Sequence, residues 1–146
     1  MKRNNQLLIA GCSSILASIF HICFIFGGSD WYLFFGAGER MAQLAAEGDS
    51  YPTIITLVIS SLLAVWGLYA FSGAGLILKL PFIKTCLVII TVFYLVRGIA
   101  GLIVPFVTTD PMAYQNSIAV WIIGSVICCI IGVYYLLGTL KLWRSF

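Results

Sequence analysis

What this chain has least of is charge. Of its 146 residues, 9% are Asp, Glu, Lys or Arg, against about 25% in an ordinary soluble domain. The few basic residues form no stripe, which excludes a nucleic-acid-binding surface. Histidine is nearly missing too, with His21 alone. One imidazole cannot make a bis-histidine haem site, and no plausible zinc ligand set remains, so no cofactor is expected. The five cysteines, Cys12, Cys23, Cys86, Cys128 and Cys129, all lie in apolar runs. Without loop cysteines or a C-x-x-C pair, a thiol oxidoreductase is excluded, and these residues read as small packing groups. Cys128 and Cys129 point about 100° apart on a helix, which argues against one shared ion. No Asp or Glu occurs in an apolar run, so the embedded carboxylate of a proton-coupled exporter is missing. No G-x-S-x-G, Walker or dinucleotide motif is present, and Gly73-x-Gly75 reads as a helix ending. An enzyme is not expected.

What is abundant is apolar surface. Hydrophobic residues make up 62% of the chain, with a mean hydropathy of +1.08, which excludes disorder. A helical crossing of the bilayer core needs about 20 mostly apolar residues. Four stretches qualify, at about 7–27, 52–78, 85–104 and 117–140. They are continuously apolar rather than alternating, which argues against a membrane barrel. The expected fold is all-α: one integral membrane domain over 1–146, built as a four-transmembrane-helix bundle. Lys2, Arg3, Lys79, Lys84, Lys141 and Arg144 fall on one side, while Arg40 is opposite and Arg97 interrupts the third stretch. Asp30, Glu39, Glu47, Asp49 and Asp110 occupy the two opposite loops. The positive-inside rule then places both termini on the cytoplasmic side of the cell (inner) membrane. Trp31, Tyr32, Tyr51, Tyr114 and Trp121 mark the outer interface, and Trp143 with Phe146 the inner one. The start Leu8-Ile-Ala-Gly-Cys12 imitates a lipoprotein signal. The apolar part before Cys12 is only about five residues, however, and the chain stays apolar to Phe26.

The outer loop between the first two stretches is the least generic segment. Trp31 to Phe35 is too short to cross the bilayer and too apolar to float in water. Glu39 to Glu47 reads as a short amphipathic extracytoplasmic helix, because Glu39, Gln43 and Glu47 recur at i, i+4 and i+8. Gly36 and Gly38 turn the chain into it and Gly48 ends it. Such a helix lies along the membrane surface, where it either covers the bundle or gates a pocket. The string Trp31-Tyr-Leu-Phe-Phe-Gly-Ala-Gly-Glu-Arg-Met-Ala42, followed by Tyr51-Pro52 and by Tyr94-Leu-Val-Arg-Gly98, resembles an uncharacterised family of small four-span bacterial inner-membrane proteins. Its specific part is Gly36-Ala-Gly-Glu-Arg-Met41. The resemblance implies a bacterial cytoplasmic membrane and carries no catalytic residue across.

Arg97 is the strongest single chemical signal. A charge at the centre of a span costs about 2.5–3.5 kcal/mol on the insertion scale, so it normally has a partner or a water-filled site. It lies roughly 10 Å below the outer boundary of its stretch, and His21 roughly 9 Å below that of the first. The two groups are therefore expected at similar depth. Thr56 and Ser60 of the second stretch are placed near them, with Glu39 above. Two readings compete for this set. In one, Glu39 or a backbone carbonyl neutralises Arg97 and fixes helix register. In the other, Arg97 and His21 bind the carboxylate or phosphate of a lipid or small anionic ligand entering from outside, which the protein holds or helps to move. A further alternative is an accessory or scaffold subunit, self-associating or docking a membrane partner. Its contact would be the small-residue seam Gly124, Cys128 and Gly132 at i, i+4 and i+8.

Overall fold

The computed structural model describes residues 3–35, 37–108 and 118–145. Expectations placed on Lys2, Gly36, Asp110, Tyr114, Ser117 and Phe146 lie outside the described residues. Five helices are described: α1 (Asn5–Phe34), α2 (Glu39–Ala46), α3 (Tyr51–Gly73), α4 (Ile83–Val107) and α5 (Ile118–Arg144). All but α2 are long and apolar enough to cross a membrane. Large apolar side chains such as Leu16, Val58, Ile89 and Ile127 point outward from them.

Local chemistry explains where these helices begin and end. The Asn4 side chain accepts from Leu7 N at 3.4 Å and caps α1, the usual role of Asn at a helix start. Pro52 sits in the first turn of α3, where its missing N–H costs nothing. The second apolar stretch stops being helical at Gly73 rather than Leu78. The Ser72 hydroxyl donates to Leu78 O at 2.8 Å and accepts from Leu80 N at 2.9 Å. A tight turn therefore replaces the last helical turn, with Gly75 at φ 77°. The third stretch extends one turn beyond expectation, to Val107, with Pro105 inside it.

The C-terminal end of α1 reverses direction. Gly28 takes φ 69°, ψ −155°, a region open essentially to glycine alone. Phe35 consequently stacks on Phe24 at 4.9 Å and meets Phe20 edge-on at 4.9 Å. In a straight helix, fifteen residues would separate Phe20 from Phe35 by about 22 Å. The short apolar segment that could neither cross nor float thus folds back onto its own helix. Tyr32, 3% exposed, reaches Thr56 Oγ1 of α3 at 3.1 Å from the same turn. The adjoining helix α2 packs against α1 and α3.

The long helices form two hairpins, α1 with α3 and α4 with α5, joined mainly by α1 against α5. Among the described residues α1 and α4 are diagonal, with no close backbone approach. Glycines set both hairpins. A Cβ at Gly67 would stand 3.2 Å from Gly11 O and 2.8 Å from the Ile15 side chain. A Cβ at Gly98 would stand 2.8 Å from Cys129 N. Small residues permit such approaches, and packing rather than hydrophobicity holds helices together in lipid.

One polar cluster ties all four long helices together. Ser14 Oγ of α1 is 3.0 Å from Tyr94 OH of α4 and 2.8 Å from Tyr135 OH of α5. Tyr135 OH donates to Trp66 O of α3 at 3.1 Å. The two tyrosine rings stack at 5.4 Å, and Trp66 meets Tyr94 edge-on at 5.4 Å. Every hydroxyl in this cluster has a partner, as burial demands.

Candidate site on the outer face of the second hairpin

The five residues expected to surround a ligand are spread over two separate places. Thr56 Oγ1 donates to Pro52 O at 2.7 Å and also meets Tyr32. Ser60 and Ser18 exchange side-chain-to-backbone bonds: Ser18 Oγ donates to Ser60 O at 2.7 Å, and Ser60 Oγ to Ser18 O at 2.9 Å. Both residues therefore belong to the α1–α3 contact. His21 Nδ1 is 2.7 Å from Ala17 O. A carbonyl can only accept, so Nδ1 carries a proton and that N–H is committed to the backbone of α1 itself. Glu39 opens α2, which sits on the first hairpin.

Arg97 lies elsewhere. It is exposed on α4, and its contacts among the described residues are with α5. Its Nη1 donates to Ser125 Oγ at 3.4 Å, and Cζ lies over the Trp121 ring, 4.8 Å from the centroid. Gly101 makes the room, since a Cβ there would collide with Ser125 and stand 2.5 Å from Nη1. The guanidinium therefore reaches one turn along α4 toward its C-terminal end.

Arg97 and His21 are separated by the bundle rather than by depth, the reach of the guanidinium offsetting most of a difference between their backbones. Ser14 and Tyr94 are hydrogen-bonded and so share a level. His21 stands seven residues beyond Ser14, and Arg97 three beyond Tyr94. At about 1.5 Å per residue the two backbones differ by about 6 Å in height, and their helices are diagonal.

The small-residue seam is rotated from its expected position. A Cβ at Gly124 would meet nothing within 4 Å, while one at Gly132 would stand 2.8 Å from Leu95. Cys128 packs on the buried core. The small α5 residues that face α4 are Ser125, Cys129 and Gly132. Ser125 also donates to Trp121 O at 2.8 Å.

Two open clefts lie at the end of the first hairpin that carries α2. One, of about 520 Å³, is bounded by Gly28, Tyr32, Asp49 and Thr53. The other, of about 560 Å³, is bounded by Arg40, Leu44 and Tyr51. Among the described residues no group of His, Cys, Asp or Glu could hold a metal ion.

Sequence reasoning singled out Arg97 but missed its partners Trp121 and Ser125, and it missed the Ser14–Tyr94–Tyr135 cluster. The available signal for that cluster was Tyr94, a hydroxyl-bearing ring near the middle of its apolar stretch. Comparison with family models, with characterised proteins and with solved structures finds no match for this chain.

Proposed function

We propose that this chain is a non-catalytic protein of the bacterial cytoplasmic membrane that binds an anionic amphiphile from the outer leaflet through Arg97. The observation that carries the reading is the state of that guanidinium. It is exposed on the α4–α5 face, and its described partners are a neutral hydroxyl and a neutral ring. Guanidinium has five donors, and hydrocarbon satisfies none of the remaining ones. An amphiphile in the leaflet supplies an anionic head at that position and an apolar tail along the exposed helix surface. This keeps the sequence expectation of an anionic ligand at Arg97 and removes His21, Thr56, Ser60 and Glu39 from its binding set.

The orientation proposed is both termini cytoplasmic, supported by Arg3, Lys79, Lys84, Lys141 and Arg144 gathering at one end. In that orientation α2 is an amphipathic helix on the outer surface, with Glu39, Gln43 and Glu47 toward water. The likeness of the Gly36–Met41 string to small four-span bacterial inner-membrane proteins supports the same location.

The test is native mass spectrometry of protein purified in mild detergent. Wild type is expected to retain an anionic lipid that Arg97→Gln loses, with the melting temperature of the variant close to wild type. Equal retention by the variant overturns the reading.

A further inference from the structure

The way the two hairpins part says where the ligand sits, an inference that rests on the function proposed above. Asn4 with Gly138, Ser14 with Tyr94 and Tyr135, and Trp66 with Tyr94 hold the hairpins together. The core they share ends one to two turns beyond the tyrosine cluster, with Ala17, Leu63 and Cys128. These contacts run from the middle of the bundle to the end where α1 begins and α5 finishes.

Seven residues are close to two helical turns, so that step keeps the same face and moves about 10 Å along the helix. On each long helix it leads from the shared core to an uncovered position. Ser14 and Trp66 are buried, whereas His21 is half-buried and Ile59 exposed. Ile90 is buried and Arg97 exposed. Ile131 is buried, yet a Cβ at Gly124 would meet nothing within 4 Å. Faces that pack against the other hairpin at one end are thus open toward the other. Among the described residues this leaves a crevice between the hairpins, at the end that carries α2.

Arg97 therefore stands on the flank of the second hairpin that looks toward the first, its guanidinium over Trp121. No Asp or Glu occurs in α3, α4 or α5, so the charge in the crevice calls for an anion. Basic pockets between transmembrane helices suit lipid head groups. The side between α3 and α4 is the looser one, since α1 against α5 makes the main junction. Leu62 and Phe93 are exposed along it, and Phe93 meets Trp66 edge-on at 4.9 Å where the core begins. We infer that an anionic lipid enters sideways between α3 and α4, with its head in the crevice on Arg97 and its tails across Leu62 and Phe93. The apolar edge of that route favours a lipid over a free anion arriving from water.

The experiment titrates wild type, Arg97→Gln, Gly124→Phe, Leu62→Trp and Ile103→Trp in mild detergent with dioleoyl phosphatidylglycerol. Bound lipid is counted by native mass spectrometry, and glycerol 3-phosphate serves as the water-soluble competitor. Gly124→Phe fills the crevice and Leu62→Trp narrows its side entrance, so each should weaken the lipid by about tenfold, the usual effect of a clash in filled space. Both should melt near wild type, because Gly124 borders open space and Leu62 is exposed. Ile103 is nine residues from Tyr94, on the opposite face of α4, and Ile103→Trp should change nothing. Glycerol 3-phosphate should fail to displace the lipid. If Arg97→Gln empties the protein while both filling variants are silent, the crevice falls and the proposed function stands. If Arg97→Gln is silent, both fall. Displacement by glycerol 3-phosphate would keep the crevice and overturn sideways entry of a lipid. A dimer that Gly124→Phe converts to monomer would give the crevice to a second copy of the chain and overturn the inference.

Discussion

The two hairpins are built by the same device and finished differently. In α1–α3, glycines bring the backbones together, and the polar groups at the contact pair across it: Ser18 with Ser60, Tyr32 with Thr56. In α4–α5, Gly98 and Gly101 bring the backbones at least as close. The polar groups there pair only in part: Arg97 Nη1 donates to Ser125 Oγ and its guanidinium lies over the Trp121 ring, while the Trp121 Nε1–H has no partner among the described residues. A contact whose hydrogen bonds are complete has no demand for a ligand, whereas one with donors left over does. That difference moves the candidate site from the centre of the bundle to the flank of its second half.

The largest effect should come from Gly98→Val, because the added Cβ meets Cys129 backbone, which cannot rotate away. The cost should reach the upper end of usual overpacking, about 3 kcal/mol, and be visible as loss of folded protein in detergent. Gly67→Ala in the other hairpin meets mainly the flexible Ile15 side chain and should cost about 1 kcal/mol. Equal melting temperatures for the two variants would erase the contrast in backbone fit. Next is Ser14→Ala, which takes the shared partner from Tyr94 and Tyr135 at the junction of the hairpins. Denaturant titration should show a loss of about 1–2 kcal/mol. Ser60→Ala should cost less, about 0.6 kcal/mol, since Ser18 Oγ keeps its bond to the backbone carbonyl of residue 60. A larger loss than for Ser14→Ala would mean that the first hairpin, not the junction, carries the specificity. The smallest effect is expected for Gly124→Leu, within about 0.5 kcal/mol, because that side of α5 is open. Sedimentation of the same variant checks the scaffold alternative. A smaller assembly than wild type would make the open side a subunit contact.

Much of the architecture was legible because four stretches are long and apolar enough to cross a membrane. Unbroken apolar runs predict crossings almost regardless of their neighbours, and Arg97 stood out for the same reason. Its surroundings did not, since lateral neighbours depend on which helix faces are flat enough to meet. One residue of rotation, about 100°, decides whether Gly124 or Ser125 faces α4, and apolar periodicity is too weak in these runs to fix it. The end of α1 shows the other limit. The Gly27-Gly28 pair marks a break, but only the contact of Phe35 with Phe20 and Phe24 reveals that the chain doubles back rather than running on along the surface.

The Asn4 side chain has a consequence for biosynthesis. Its amide donates to Gly138 O at 2.7 Å, its backbone N–H to Ala74 O at 3.4 Å, and neighbouring Leu7 fills the space that Gly73 and Gly138 leave. Chains emerge from the ribosome amino end first, so α1 can pair with α3 before residue 138 exists, and the Asn4 bond to Gly138 closes only after α5 is made. The amino end of α1 is therefore fastened last.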